Sequence, residues 1–235
     1  MEFHKPKPIH NWCEFLKEYA IIVLGVATAL AAEQAVESLH NRTRAAEARA
    51  SVHAEIARNL GYMEEREKSE PCVRNRLEEV GKLIAAMGAG QKLPDTIWLG
   101  APAGYLMEDG KYKSALAAGN ASLFNEQEQA AYAGLYASFA IYWQTALDEQ
   151  KTWASLRILE EHPTPSQALD LQLRNDLQQA RFERYYVQLG RRVSLAEGAA
   201  IGLKPGRVLR FPPTACLPLN TMRTDVKTGR DLDPP

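Results

Sequence analysis

Cysteine is scarce, three in 235 residues, and the five histidines are scattered, so the chain carries neither a disulfide-dense scaffold nor a zinc-ligand cluster. Catalytic signatures are missing as well. There is no G-x-S-x-G nucleophile turn, no G-x-x-x-x-G-K-[ST] phosphate loop and no G-x-G-x-x-G dinucleotide fingerprint. The expectation is a non-enzyme with no cofactor, no metal ligands and no catalytic residues. Nor is there an excess of one charge: 28 Lys and Arg stand interspersed against 29 Asp and Glu, which leaves no electrostatic footprint for nucleic acid. With 24% charged and 46% hydrophobic residues the composition is that of a globular domain rather than a disordered polymer.

Near the N-terminus the fourteen residues Tyr19 to Ala32 (YAIIVLGVATALAA) carry no charge. Fourteen helical residues span roughly 21 Å, short of the roughly 30 Å hydrocarbon core. Three readings follow: a buried helix of a soluble protein, a secretory signal with an A-x-A site at Ala29-Leu30-Ala31, or a membrane anchor. The anchor is favoured. Its apolar register extends from Trp12 or Phe15 to about Leu39, Lys17 can snorkel, and Trp12 and Tyr19 suit an interfacial belt. Glu14 and Glu18 are out of place in a signal peptide, and AAEQAVESLHNR continues the helical pattern without a turn residue.

Trp12-Cys13-Glu14-Phe15-Leu16-Lys17-Glu18, Ile21-Ile22-Val23-Leu24-Gly25-Val26 and Glu33-Gln34 together resemble the N-terminus of uncharacterised bacterial single-span, membrane-anchored proteins. Pro71-Cys72-Val73-Arg74-Asn75-Arg76-Leu77 and Cys216-Leu217-Pro218 are similar in placement to Cys-containing segments of that group. The group has no known activity, so the resemblance implies an anchor and adds no active-site residue.

Beyond the anchor every strong signal is helical. Val36, Leu39, Thr43, Ala46, Ala50, His53, Ala57 and Leu60 alternate in steps of three and four, a heptad seam within the domain or between two copies, the former preferred. Pro71 suits a first helical turn, Val73, Leu77, Val80, Ile84 and Met87 form the stripe of the helix it opens, and Gly88-Ala89-Gly90 stops it. Residues 91–104 read as a loop pinned by Trp98, and a short helix is expected over 105–118. Asn125 and Glu128 form a capping-box variant that opens a helix to Glu161. Thr164 and Gln167, with Pro165 between, predict another, whose buried side is Leu169, Leu173, Leu177, Ala180, Phe182, Tyr185, Tyr186, Leu189 and Val193. Val208, Leu209 and Phe211 are expected to dock in extended form.

Two constellations could carry function. Tyr132, Tyr136, Phe139, Tyr142 and Trp143 with Phe182, Tyr185 and Tyr186 are candidates to line an inter-helix pocket for a small apolar ligand, although large rings more often fill a core. Glu37 and His40 form an E-x-x-H, but di-iron bundles need it twice, and a polar helix face leaving the membrane surface explains one copy.

The expected fold is all-α, an N-terminal transmembrane helix continuing into an antiparallel helical bundle. Its parts are a cytoplasmic tail (1–11), an anchor helix (12–39), an extracytoplasmic bundle (40–205) and an irregular tail (206–235). The expected role is a bacterial inner-membrane, single-pass module for protein interaction or sensing in the periplasm; a ligand-binding bundle and a helical enzyme are the rivals. Its partners are the membrane and an unidentified protein, with no nucleic acid. Gly25 and Ala29, with Ala27 and Ala31, offer small-xxx-small spacing for a homodimer through the anchor. Lys5, Lys7 and Lys17 balance Arg42, Arg44 and Arg49 across the span, so a cytoplasmic N-terminus rests on the short tail before a large domain. Cys13 then stays reduced, while Cys72 and Cys216 are expected to form a disulfide across the exported part, two unrelated thiols being the alternative.

Overall fold

α1 (Trp12–Glu67) runs unbroken for 56 residues, because no proline interrupts it. The computed structural model describes residues 12–209 and 213–222; the expected tail 1–11, Phe211 and the chain after Met222 lie outside the described residues. From Trp12 to Arg44 the helix touches little of its own chain, and Ala45 is the first buried residue. Nothing of the apolar stretch is buried, although the helix is long and apolar enough to cross a membrane. Among the described residues the stretch is therefore not a core helix of its own bundle.

The bundle grips α1 through Ala45, Val52, Glu55, Ile56, Asn59, Leu60, Met63 and Arg66. The expected seam is therefore split. Val36, Leu39, Thr43, Ala46 and Ala50 are exposed, whereas His53, Ala57 and Leu60 are half-buried or buried. The buried face is set off because it admits three polar side chains, Glu55, Asn59 and Arg66, that a hydrophobic count passes over.

After a two-residue break at Lys68 and Ser69, α2 (Glu70–Gly88) continues in the same direction, with Pro71 in its first turn and the whole expected stripe buried. Gly90, at φ 69°, ends it: its N–H reaches Met87 O and the Gln91 N–H reaches Ala86 O, the paired bonds of a Schellman cap. The chain then returns down α1. Tyr105 stacks on Tyr62 at 5.3 Å. Asn59 clamps the backbone of Glu108 on both sides, at 2.7 and 2.9 Å. Glu55 accepts from the N–H groups of Lys111 and Tyr112, which open α3 (Gly110–Ala117). Residues 105–109 are consequently irregular rather than helical: packing and clamping by α1 override their weak helical pattern.

α4 (Glu126–Leu156) begins with the expected Asn125–Glu128 box, its two bonds at 2.8 and 3.2 Å, and passes into a 3-10 turn over Arg157–Glu161. Arg49 with Glu128, His53 with Tyr132 and Arg66 with Glu149 place α4 parallel to α1. α5 (Gln167–Ala200) starts at Ser166 rather than Thr164, since the Ser166 hydroxyl, the stronger cap, accepts from Leu169 N at 3.2 Å. It runs antiparallel to the others: Glu183 meets Thr152, Gly190 meets Tyr142, and Arg184 meets Glu70. A Cβ on Gly198 would stand 2.6 Å from Leu60 Cδ1, so glycine lets α5 close onto α1. The described residues thus form an all-helical bundle.

The tail climbs back up the bundle. Gly206 N–H donates to Ala57 O at 2.7 Å and Val208 lies against Gly61, whereas Leu209 is exposed. Farther on, Trp98 N–H donates to Leu219 O, Trp98 Nε1 to Thr214 O and Ala215 N–H to Ala101 O. Gly100, at φ 63°, lets that loop press against the Thr214 backbone where a Cβ would collide. Buried Arg76 donates to Trp98 O and Leu217 O, and Cys72 and Cys216 are joined as a disulfide with Cα atoms 5.2 Å apart. Replacing both cysteines by serine should lower unfolding free energy by roughly 2–4 kcal/mol, because the bridge closes so long a loop. Denaturant unfolding of the full chain in detergent, oxidised against the double variant, measures it.

Candidate functional site

The eight aromatic residues considered for a ligand pocket do not meet. Tyr132, Tyr136, Phe139 and Tyr142 are buried on α4, and Trp143 is half-buried. Phe182, Tyr185 and Tyr186 lie exposed on the far side of α5. The reason is helical phase. α5 turns Leu173, Leu177, Ala180, Glu183, Val187, Ser194 and Gly198 inward, so a face carrying a carboxylate, a hydroxyl and a glycine is buried while the aromatic face stays out. The expected buried side of α5 is correct as far as Ala180; after it Leu189 is half-buried, but Phe182, Tyr185, Tyr186 and Val193 are exposed.

The α4 rings are fully engaged with neighbours. Tyr132 packs edge-on against Phe124 at 5.5 Å and its hydroxyl lies 2.6 Å from His53 Nε2. Tyr136 stacks on Tyr112 at 4.4 Å and donates to Glu55 at 2.6 Å. Burial and then that bond to Glu55 push its phenol far above the ordinary range, so it is a permanent donor. This is a filled core in which Tyr132 and Tyr136 have partners for their hydroxyls, not a lined gap.

A polar layer lies between two apolar clusters. Below it Val52, Ile56, Leu60 and Met63 pack with the α4 rings and Val187; above it the α2 stripe packs with Trp153, Leu156, Leu173 and Leu177. In between, Arg66 donates two bonds to Glu149, both 2.9 Å, with each side chain at most 2% exposed. Arg66 also donates to the Ser69 hydroxyl, which donates back to Arg66 O across the α1–α2 break. Burial opposes the charge on Arg66 and the Glu149 carboxylate outweighs it; burial also pushes the Glu149 carboxyl up, against the pull of Arg66. The sequence signal for this layer was a charged residue in phase with the buried positions of α1, 66 following 52, 56, 59 and 63.

Glu37 and His40 are exposed on α1, and among the described residues no three His, Cys, Asp or Glu side chains gather as a metal site. Glu37 does border an open groove of about 660 Å³ where α1 enters the bundle, with Gln34, Asn41, Arg42, Arg49 and Leu123. A second groove of about 530 Å³ lies between α2 and α5, bordered by Glu78, Lys82, Arg174 and Arg181. Both have charged walls unsuited to an apolar ligand.

Two outcomes follow from this chemistry. Arg66→Met, which leaves Glu149 buried and unpaired, should destabilise by about 3–5 kcal/mol, and Arg66→Met/Glu149→Leu should recover most of that loss in the same unfolding assay. The second concerns pH. Burial, then Arg49, holds the His53 pKa below its ordinary 6.5. The unfolded chain therefore takes up the proton first, and stability present above about pH 6.5 falls as pH drops from there toward the folded-state value. Melting temperature should decline over that window and His53→Gln should remove that part of the decline. In comparisons with known proteins the chain matches no family model, no curated protein and no solved structure.

Proposed function

We propose that this chain is a membrane-tethered, non-catalytic helical module of the bacterial inner membrane, presenting its bundle in the periplasm for protein interaction or sensing. The observation that carries the reading is the free part of α1. Residues 12–44 form roughly 50 Å of helix outside the bundle yet continuous with it, and their apolar stretch has no covering among the described residues. Trp12, Phe15 and Tyr19 make an aromatic ladder at its start, with ring centroids 5.6 and 6.2 Å apart, as suits a membrane interface. The disulfide supports an oxidising compartment for the bundle, and Cys13, free and exposed, sits before the apolar stretch where the cytoplasm would be. For interaction the support is α5, whose exposed Phe182, Tyr185 and Tyr186 are of the type enriched at protein interfaces.

The test uses the full chain in bacterial spheroplasts. A membrane-impermeant maleimide should leave Cys13 unlabelled and should label Cys72 and Cys216 only after reduction, and external protease should attack the bundle. Labelling of Cys13 in sealed spheroplasts would reverse the orientation. A photo-cross-linking residue at Tyr185 should yield a discrete protein adduct where one at buried Tyr132 yields none; equal or absent adducts would remove the interaction half of the reading.

A further inference from the structure

We infer that α1 dimerises with a second copy of this chain, in parallel and in register, through one seam that runs from inside the apolar stretch to the base of the bundle. The seam is Ile22, Gly25, Ala29, Ala32, Val36, Leu39, Thr43, Ala46 and Ala50, spaced alternately three and four as the a and d positions of a coiled coil require. All nine are exposed. The bundle grips α1 elsewhere over this stretch, first at Ala45, and takes over the seam only from His53 onward. The structure thereby leaves this half of the stripe without a partner among the described residues of its own chain.

Four observations make the occupant a second copy. Val36 and Leu39 are 70% and 67% exposed at the outer end of the anchor, past Glu33, where the charged headgroup level begins and acyl chains cover a side chain least. Gly25 has open space around it, so nothing among the described residues of its own chain calls for glycine in a helix interior, where it costs about 1 kcal/mol against alanine. Two helices in close contact do call for it, and Ala29 and Ala32 extend the same thin ridge. The Thr43 hydroxyl is already bonded to Leu39 O at 3.2 Å, which frees its methyl for the seam.

Charge supplies the fourth. With Val36 at a and Leu39 at d, Arg42 falls at g and Glu47 at the following e, the positions that meet between parallel chains. Neither makes an ion pair within its own chain among the described residues. Two-fold symmetry makes the Arg42 to Glu47 contact twice. An anchor shared by both copies enforces the parallel orientation; to that extent the inference rests on the membrane reading, while the seam itself does not.

The experiment is a cysteine scan of the full chain in native membranes, with Cys13→Ser as background and the Cys72–Cys216 bridge intact. Single cysteines go at Val36, Leu39, Thr43 and Ala46 on the seam, and at Glu37, Asn41 and Arg44 off it. Under mild oxidation the seam positions should give at least about fivefold more disulfide-linked dimer than the others. Equal yields, no dimer, or a maximum off the seam would overturn the inference. Arg42→Glu should lower the Leu39→Cys dimer about threefold, and Arg42→Glu/Glu47→Arg should restore it; failure to restore would overturn the parallel register. Carbonate extraction of the same membranes separates the two readings. A periodic pattern in extracted protein sinks the anchor and keeps the dimer, whereas a flat pattern in retained protein does the opposite.

Discussion

The Arg66–Glu149 pair is the constraint on which the bundle's register depends. Two buried charges at 2.9 Å are tolerable only when each finds the other, because an unpaired ion in that layer would carry a desolvation penalty of several kcal/mol. A slip of α4 by one turn along α1 moves Glu149 out of reach, and an apolar interface alone would not forbid it. The pair also sits at the one break in the α1–α2 rod, where Arg66 holds Ser69. Glu183 brings α5 to the same layer, bonded to Thr152 and Gln179. Three helices are indexed at one level, and the apolar clusters on either side pack from there.

The irregular segments depend on the same device in weaker form. The return from α2 to α3 passes down α1 without regular backbone pairing of its own, so α1 side chains supply partners: Asn59 to the Glu108 backbone, Glu55 to the start of α3, and Arg58 to the Glu108 carboxylate at 2.9 Å. Higher up, Arg76 gathers carbonyls from both the Trp98 loop and the tail, and Arg157 covers the Trp98 ring at 5.7 Å. A buried guanidinium with several carbonyl acceptors is a polar knot that needs closure. The disulfide, one turn before Arg76, keeps the tail from leaving it.

Where a structural signal is local, it was legible. The Asn125–Glu128 cap, Pro71 and Gly90 act within a turn of themselves, and the α2 stripe is purely apolar, so each could be read from neighbours alone. The failures share a cause. On α1 and α5 the buried faces carry Glu55, Asn59, Arg66, Glu183 and Ser194, which hydrophobic periodicity assigns to solvent, while Phe182, Tyr185 and Tyr186 on α5 draw the stripe toward the wrong side. Glu55, Asn59, Arg66 and Glu183 are held inside by partners some 30 to 80 positions away, as Glu149 holds Arg66, and such partners have no signature in a local window. The ligand pocket failed with the α5 phase, since it needed both sets of rings on facing sides.

On the tethered reading, continuity of α1 has a mechanical consequence. A helix without proline or break between Trp12 and Glu67 resists bending and cannot swivel at a hinge, so rotation or tilt set near the membrane is carried into the bundle. The first residues that register it are Arg49 and His53, tied to Glu128 and Tyr132 at the foot of α4. The first place that can absorb it is the break at Lys68 and Ser69, inside the polar layer. A close-packed layer of paired charges does not deform gradually; it holds or it re-pairs. The chain thus places its stiffest element against its least compliant contact, and a change at the membrane has no softer joint in which to dissipate before it reaches Arg66 and Glu149.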